Sequence, residues 1–199
     1  MRSDPLDTAE IARCPRLNFV PNTYRSMLPK KIEAALNAQI EIEASSSQSY
    51  LAMASWAETN GLMGTSAFLY RHSDEERIHM LKLIKFVNDR GGKAVVPALK
   101  QPQKDYRSIT DIFQTLLDHE THVTASINKV VDLCLKEKDY TTHNFMQWYV
   151  SEQIEEETLA RTLIDKLKLI GSDKGGLYLF DRDLQGMTAA SAGGGERQG

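Results

Sequence analysis

Two blocks of this chain repeat one spacing. Glu76 is followed three residues on by His79, and Glu43 precedes Glu76 by 33 positions. Gln153 is followed three residues on by Glu156, and Glu120 precedes Gln153 by the same 33 positions. Residues three apart share a face of an α-helix. Each block therefore reads as one ligand-type side chain on a helix, then a pair on the next. Carboxylate-rich four-helix bundles present ligands to two metal ions in this way. The repeat constrains the fold strongly, because it needs four long helices aligned at one level.

Hydropathy patterning agrees. Leu36, Ile40, Glu43, Ser47, Tyr50 and Ala54 align along a first helix over about 30–59, which Asn60-Gly61 ends. Leu69, His72, Glu76, His79, Leu83 and Phe86 line a second over about 63–90, stopped by Gly91-Gly92. Residues 93–107 hold Pro97 and Pro102 and read as a long crossover, which lets the second and third helices run parallel. Ser108 and Asp111 resemble a capping box ahead of a third helix to about 137, with Phe113, Leu117, Glu120, Thr124, Ile127 and Val131 inward. A break at Asp139-Tyr140 leads to a fourth over about 141–170, carrying Met146, Tyr149, Gln153, Glu156, Ala160 and Leu163. After Gly175-Gly176, Leu177 to Gln185 suits a short fifth helix.

The expected fold is thus all-α, a four-helix bundle with one long crossover and a short C-terminal helix. Residues 29–186 form its one domain. Residues 1–28, with Pro5, Pro15 and Pro21, read as an N-terminal extension, and 187–199 as a flexible tail rich in Ala, Gly and Ser.

The chain's 199 residues suffice for one sizeable core, and 41% hydrophobic residues exclude overall disorder. A net charge of −3, with no basic run, gives no nucleic-acid signature. No stretch reaches the roughly 18 apolar residues of a membrane span, and the first 25 residues lack the apolar centre of a secretory signal. Cys14 and Cys134 have no CxxC spacing, which suits a reduced cytoplasmic setting.

Periodicity alone fits a bundle without any site equally well. The polar residues on its inward faces do not. A buried carboxylate without a partner costs several kcal/mol. Glu43, Glu76, Glu120 and Glu156 at one level together bring four negative charges, which two divalent ions would balance. Carboxylates with one imidazole suit iron or manganese, and zinc less well. Glu76 lies between the halves as a bridging ligand. The first half carries Glu-x-x-His and the second Gln-x-x-Glu, so the second ion is expected to be held more loosely.

The segments LNAQIEIEASSSQSYLAM (36–53), AFLYRHSDEERIHM (67–80), DHETHVTASIN (118–128), FMQWYVSEQIEEE (145–157) and GLYLFDRDL near the end resemble the bacterial non-haem ferritins over about residues 30–186. The resemblance implies a homo-oligomeric, hollow 24-subunit shell whose subunits oxidise Fe(II) with dioxygen and store it as a ferric mineral. It implies one iron position at Glu43, Glu76 and His79, and a second at Glu76, Glu120 and Glu156 with Gln153 beside it. Tyr50 matches a tyrosine that supplies an electron to oxygen, and Trp148 a tryptophan for which packing competes with that role. Glu75, Glu152 and Glu155 match a third iron site, although DEE (74–76) and EEE (155–157) also suit solvated charge runs. The C-terminal helix would line a fourfold channel. Bacterioferritins differ in a second Glu-x-x-His and a haem-ligating methionine where this chain has Arg77, so no haem is expected. A structural metal module and a metal-free helical interaction protein remain the competing readings.

Overall fold

The computed structural model describes the backbone of residues 26–192 and the side chains of residues 26–187. It contains five helices, α1 (Lys30–Thr59), α2 (Met63–Asp89), α3 (Ile109–Glu137), α4 (Tyr140–Ile170) and α5 (Lys174–Ala192), and no strand among the described residues. No helix among those residues is long and apolar enough to cross a membrane.

Turn chemistry sets the boundaries. Gly61 and Gly91, at φ +78° and +73°, turn the chain after α1 and α2 in the left-handed region that glycine enters without a steric penalty. At the end of α3 the same role falls to Lys138, at φ +57°, where no glycine is available. Asp139 then caps α4 by accepting from the Thr142 N–H (3.0 Å) and hydroxyl (2.6 Å). At α3 the Ser108 hydroxyl accepts from the Asp111 N–H at 3.1 Å. The Asp111 carboxylate reaches the Arg107 N–H at 3.0 Å, one residue before the cap, and adds an ion pair with the Arg107 guanidinium.

Lys31 meets Glu137, Tyr50 meets Glu120 and Trp56 meets Tyr106, so α1 and α3 are antiparallel. α1 and α2 form one hairpin and α3 and α4 the other. α2 therefore runs parallel to α3, as a long crossover demands. The crossover is tied to α1 through Asn37, which donates to the Lys93 carbonyl (3.0 Å) and accepts from the Val95 N–H (2.7 Å). Two serines join α1 and α2 reciprocally: Ser47 Oγ donates to the Ser73 carbonyl at 2.7 Å and Ser73 Oγ to the Ser47 carbonyl at 2.8 Å.

Two stripes differ in phase from expectation. α3 buries Leu116, Val123 and Val130, with Leu117, Thr124 and Val131 half-buried; α2 buries Val87 in place of Phe86. Each of these positions lies one residue from the stripe predicted, a rotation that 3.6 residues per turn permits without moving Glu120 or Glu76. α5 starts at Lys174 rather than Leu177 and continues to Ala192, past the expected start of the tail. Gly175-Gly176 fall in its first turn, where Asp173 accepts from both N–H groups (3.3 and 2.8 Å), so the pair begins a helix instead of separating one. Of the expected extension, residues 1–25 lie outside the described residues, and Leu28 packs into the core.

The apolar core is in two parts. One contains Met53, Phe68, Leu69, Phe113, Leu163, Leu167 and, from α5, Phe180 and Leu184. The other contains Ile32, Leu36, Ile40, Leu83, Val87, Ile127 and Met146. Between them every helix of the bundle turns a polar side chain inward. α5 closes the first end. Its Asp181 carboxylate accepts from the N–H of Gly64 (3.0 Å) and of Thr65 (2.7 Å), capping a helix whose own N-cap, Leu62, has no capping side chain. A Cβ on Gly64 would stand 1.7 Å from the Asp181 carbonyl oxygen.

Gly64→Ala is therefore expected to separate α5 from α2, and to destabilise more than Asp181→Ala, which removes a cap worth about 0.5–2 kcal/mol. Thermal unfolding of the two variants checks the order; a Gly64→Ala protein as stable as the parent would refute this docking.

Candidate metal centre

Glu43 from α1, Glu76 and His79 from α2, Glu120 from α3 and Gln153 from α4 fill the gap between the two apolar clusters, none more than 6% exposed. Their spacing explains the position: the helical period that buries Ile40 and Tyr50 also buries Glu43, and likewise for the others. Glu43, Glu76 and His79 bring one donor atom each within 4.8 Å of one another, a ready ligand group. His79 Nδ1 lies 3.7 Å from Glu76 Oε2. Supporting residues hold the set. Gln39, one turn before Glu43 and fully buried, donates to Glu43 Oε1 at 2.8 Å. Tyr149 donates from α4 to the His79 carbonyl at 2.8 Å, and its ring and that of Trp148 pack edge-on against the imidazole.

Glu120 is arranged differently. The Tyr50 hydroxyl donates to one of its oxygens and Gln153 Nε2 to the other at 2.9 Å. Gln153 thus holds Glu120 in place, with its amide as the donor. Glu156, expected beside Glu120, directs Oε2 at His72 Nε2, 3.5 Å away, while Glu75 Oε2 lies 3.5 Å from His72 Nδ1. His72, Glu75 and Glu156 make the second ligand group among the described residues. Glu152 is partly buried and Glu155 exposed, and neither belongs to a three-residue ligand group with Glu75. Lys82 stands 3.3 Å over the Trp148 ring, a cation–π contact.

His72 and Gln39 escaped the sequence reading. The sequence pattern puts His72 on the inner stripe of α2 without a ligand role, although it stands at i−3 to Glu75 and i−4 to Glu76. Gln39 stands at i−4 to Glu43, the hydrogen-bonding distance on a helix.

The electrostatics are those of carboxyl groups crowded in an apolar interior. Burial, and then the Glu76 charge, push the Glu43 carboxyl well above its ordinary range. Burial and the Glu120 charge do the same to Glu76. Burial lifts Glu120 to about 7, against the opposing hydrogen bonds from Tyr50 and Gln153. Burial and the charge of Glu120 also raise the Tyr50 phenol, which keeps its proton. Glu156 is the exception: burial opposes its ionisation, but the His72 hydrogen bond and charge outweigh burial and hold it below the usual range. Glu43 Oε2 and Glu76 Oε2 are buried without a hydrogen-bond partner among the described residues. Unsatisfied carboxylate oxygens beside an imidazole fit a divalent cation of the first transition row.

A bundle with carboxylates and a histidine in its core presents groups that could hold a metal ion, and comparison with known sequences and structures narrows the class. The family model described as Ferritin-like domain matches residues 33–170. The chain is 44% identical over 162 residues to a bacterial non-heme ferritin of Campylobacter jejuni, covering 81% of this chain and 97% of that one. It is 39% identical over 158 residues to a bacterial non-heme ferritin of Escherichia coli, covering 79% and 96%. A solved open pore ferritin from the archaeon Archaeoglobus fulgidus superposes with a TM-score of 0.79 at 38% identity, over 81% of this chain and 98% of the other. The chain belongs to the ferritin family.

The raised carboxyls set a pH dependence. A group whose pKa is higher folded than unfolded stabilises fully below its unfolded value, and that stability disappears as pH rises through the folded value. For Glu120, between the ordinary 4.5 and about 7, the loss is roughly 3 kcal/mol. The metal-free protein is thus expected to melt at falling temperature from pH 4.5 to 7, with Zn(II) reversing the fall. Calorimetry checks this; a metal-free protein that gains stability across that range would contradict the assignment.

Proposed function

We propose that the chain is the subunit of an iron-storage shell, and that the buried layer is its ferroxidase centre. There Fe(II) is the substrate, dioxygen the oxidant and a ferric mineral the stored product. The observation that carries this reading is the set of buried carboxylates beside His79, with one oxygen each of Glu43 and Glu76 lacking a hydrogen-bond partner among the described residues. Family membership supplies the iron chemistry.

Glu43, Glu76 and His79 receive the first ion. Glu76 also faces the second, which Glu120 and Glu156 complete, with Gln153 steering Glu120. Binding replaces the protons of the raised carboxyls with metal charge, and the ionised carboxylates then favour Fe(III) over Fe(II). Each of two Fe(II) gives up one electron, and one dioxygen takes the two electrons with two protons and leaves as hydrogen peroxide. Where only one Fe(II) is bound, Tyr50 would supply the second electron while passing its phenolic proton to Glu120, the acceptor of its hydrogen bond. Trp148 has a cation on its face through Lys82, which opposes removal of an electron from the indole, so packing against His79 is the role favoured for it here.

The oligomer belongs to the same proposal. A single chain leaves Leu169 88% and Tyr178 70% exposed, apolar surface that assembly into a 24-subunit homo-oligomer would cover. A reduced cytoplasmic setting is retained, with Cys134 buried as a free thiol whose pKa burial raises to about 11. Residues 29–186 are the unit that carries the function.

The test is oxygen-dependent Fe(II) oxidation at two irons per chain, with the parent compared to Glu76→Ala/His79→Ala at equal assembly size. Loss of supporting residues alone costs metal sites about 10–100-fold, so removing two ligands is expected to slow the fast phase at least about 100-fold. Equal rates would leave a passive container or a structural metal module.

A further inference from the structure

We propose that Thr124 and Glu157 are positioning residues for the second ion of the paired centre: acting through Gln153, they fix the Glu120 carboxylate that receives it. The role of that ion rests on the ferroxidase reading above; the chain of hydrogen bonds rests on geometry.

Glu120 and Thr124 stand one turn apart on α3, and Gln153 and Glu157 one turn apart on α4. Positions four apart share a helix face, and α3 and α4 form a hairpin, so the four side chains meet between the two helices. There they form one continuous run. It begins at the half-exposed Arg161, passes through Glu157, Thr124 and Gln153, and ends at the fully buried Glu120.

The run has a fixed direction. Glu157 Oε2 accepts from the Arg161 guanidinium at 2.7 Å, and Glu157 Oε1 accepts from the Thr124 hydroxyl at 2.6 Å. An ion-paired carboxylate has no hydrogen to give, so Thr124 is the donor in the second bond. A threonine hydroxyl has one hydrogen. Thr124 Oγ1 can therefore only accept from its other neighbour, Gln153, whose Nε2 lies 3.3 Å away. The same Nε2 faces the Glu120 carbonyl oxygen at 3.2 Å and Glu120 Oε2 at 2.9 Å. Three acceptors surround one end of the Gln153 amide, so that end is the nitrogen.

The two ends of a glutamine amide have nearly the same shape, and only the hydrogen-bonding sense of their neighbours tells them apart. A Thr124 hydroxyl free to rotate could donate to an amide oxygen as readily as it accepts from an amide nitrogen. Glu157 removes that freedom by taking the hydrogen. Glu157 thus differs from Glu155 in the same acidic run: Glu155 is exposed, whereas Glu157 is engaged at both oxygens.

The consequence falls on one ion. Glu120 is gripped from two sides, by Tyr50 at one oxygen and Gln153 at the other. The first position is held separately, with Gln39 on Glu43 and Tyr149 on the His79 carbonyl. Cutting the Thr124–Glu157 bond loosens Glu120 and leaves Glu43, Glu76 and His79 as they are. Partners that orient a metal ligand in this way contribute about 10–100-fold to affinity.

Zinc, which is redox-inert, is the probe. Calorimetric titration of the assembled protein gives the affinities, and anomalous scattering from crystals soaked in Zn(II) assigns each to its position. Thr124→Val and Glu157→Ala, assembled to the same size as the parent, are each expected to weaken zinc on Glu120 about 10-fold and to leave zinc on Glu43, Glu76 and His79 unchanged. The double variant is expected to be no weaker than either single one, because one run of bonds is cut twice. Thr124→Ser keeps the hydroxyl and is expected to bind as the parent does. Parent-like zinc on Glu120 in both single variants, equal weakening at both positions, additive losses in the double variant, or a Thr124→Ser protein as weak as Thr124→Val would each overturn this inference and leave the ferroxidase reading intact. A parent that takes no zinc on Glu120 would overturn both.

Discussion

A layer of carboxylates across the middle of an apolar bundle is the constraint on which the rest of this structure depends. On α1 the polar gap lies between Ile40 and Tyr50, on α2 between Leu69 and Leu83, on α3 between Leu116 and Val123, and on α4 between Tyr149 and Ala160. Two ordinary cores sit above and below. Each satisfies the hydrophobic requirement of its own end, so the helices can remain long and straight through a level where no apolar contact holds them. The layer then has to be neutralised. Without metal it is neutralised by protons, which is why burial drives Glu43, Glu76 and Glu120 upward together. With divalent ions the same oxygens ionise. On the proposed reading, proton and metal ion compete for the same seats.

The two halves of the layer are not equally prepared. Glu43, Glu76 and His79 already converge, held by Gln39 and Tyr149. Glu120 is tied up by Tyr50 and Gln153, and Glu156 faces away toward His72. On the proposed reading, loading a second ion would require Glu156 to turn and one bond at Glu120 to rearrange. A position that must be assembled at a cost, beside one that is preformed, suits iron that is oxidised and passed on. Fixed di-metal cofactors are better served by two preformed halves.

Much of this was legible in the chain. The four long helices followed from inward residues at steps of three and four and from Asn60-Gly61, Gly91-Gly92 and Ser108. The centre followed from charged side chains at positions that the period buries. The misses have local causes. The phase of α3 slipped because Leu116 and Leu117 are equally apolar, and sequence alone does not say which one faces α1 and α4. Gly175-Gly176 resembled a break, but Asp173 turns them into the start of α5. Asp181 reaches α2 across more than a hundred residues, which no local pattern announces. His72 falls on the expected face, yet its pairing with Glu156 depends on a residue from another helix.

The central claim is that metal ions replace protons in this layer. It is tested most directly by counting protons released when the metal-free protein binds two Zn(II) per chain in unbuffered solution near pH 6.5. Glu43, Glu76 and Glu120 all have pKa values raised by burial, so release of about two protons per chain is predicted, falling to about one at most in a Glu43→Gln/Glu76→Gln variant, where Glu120 alone remains. Tight zinc binding with no proton release, or the same release from the variant, would show that the buried carboxylates are not what the ions displace protons from, and the account would fail at its base.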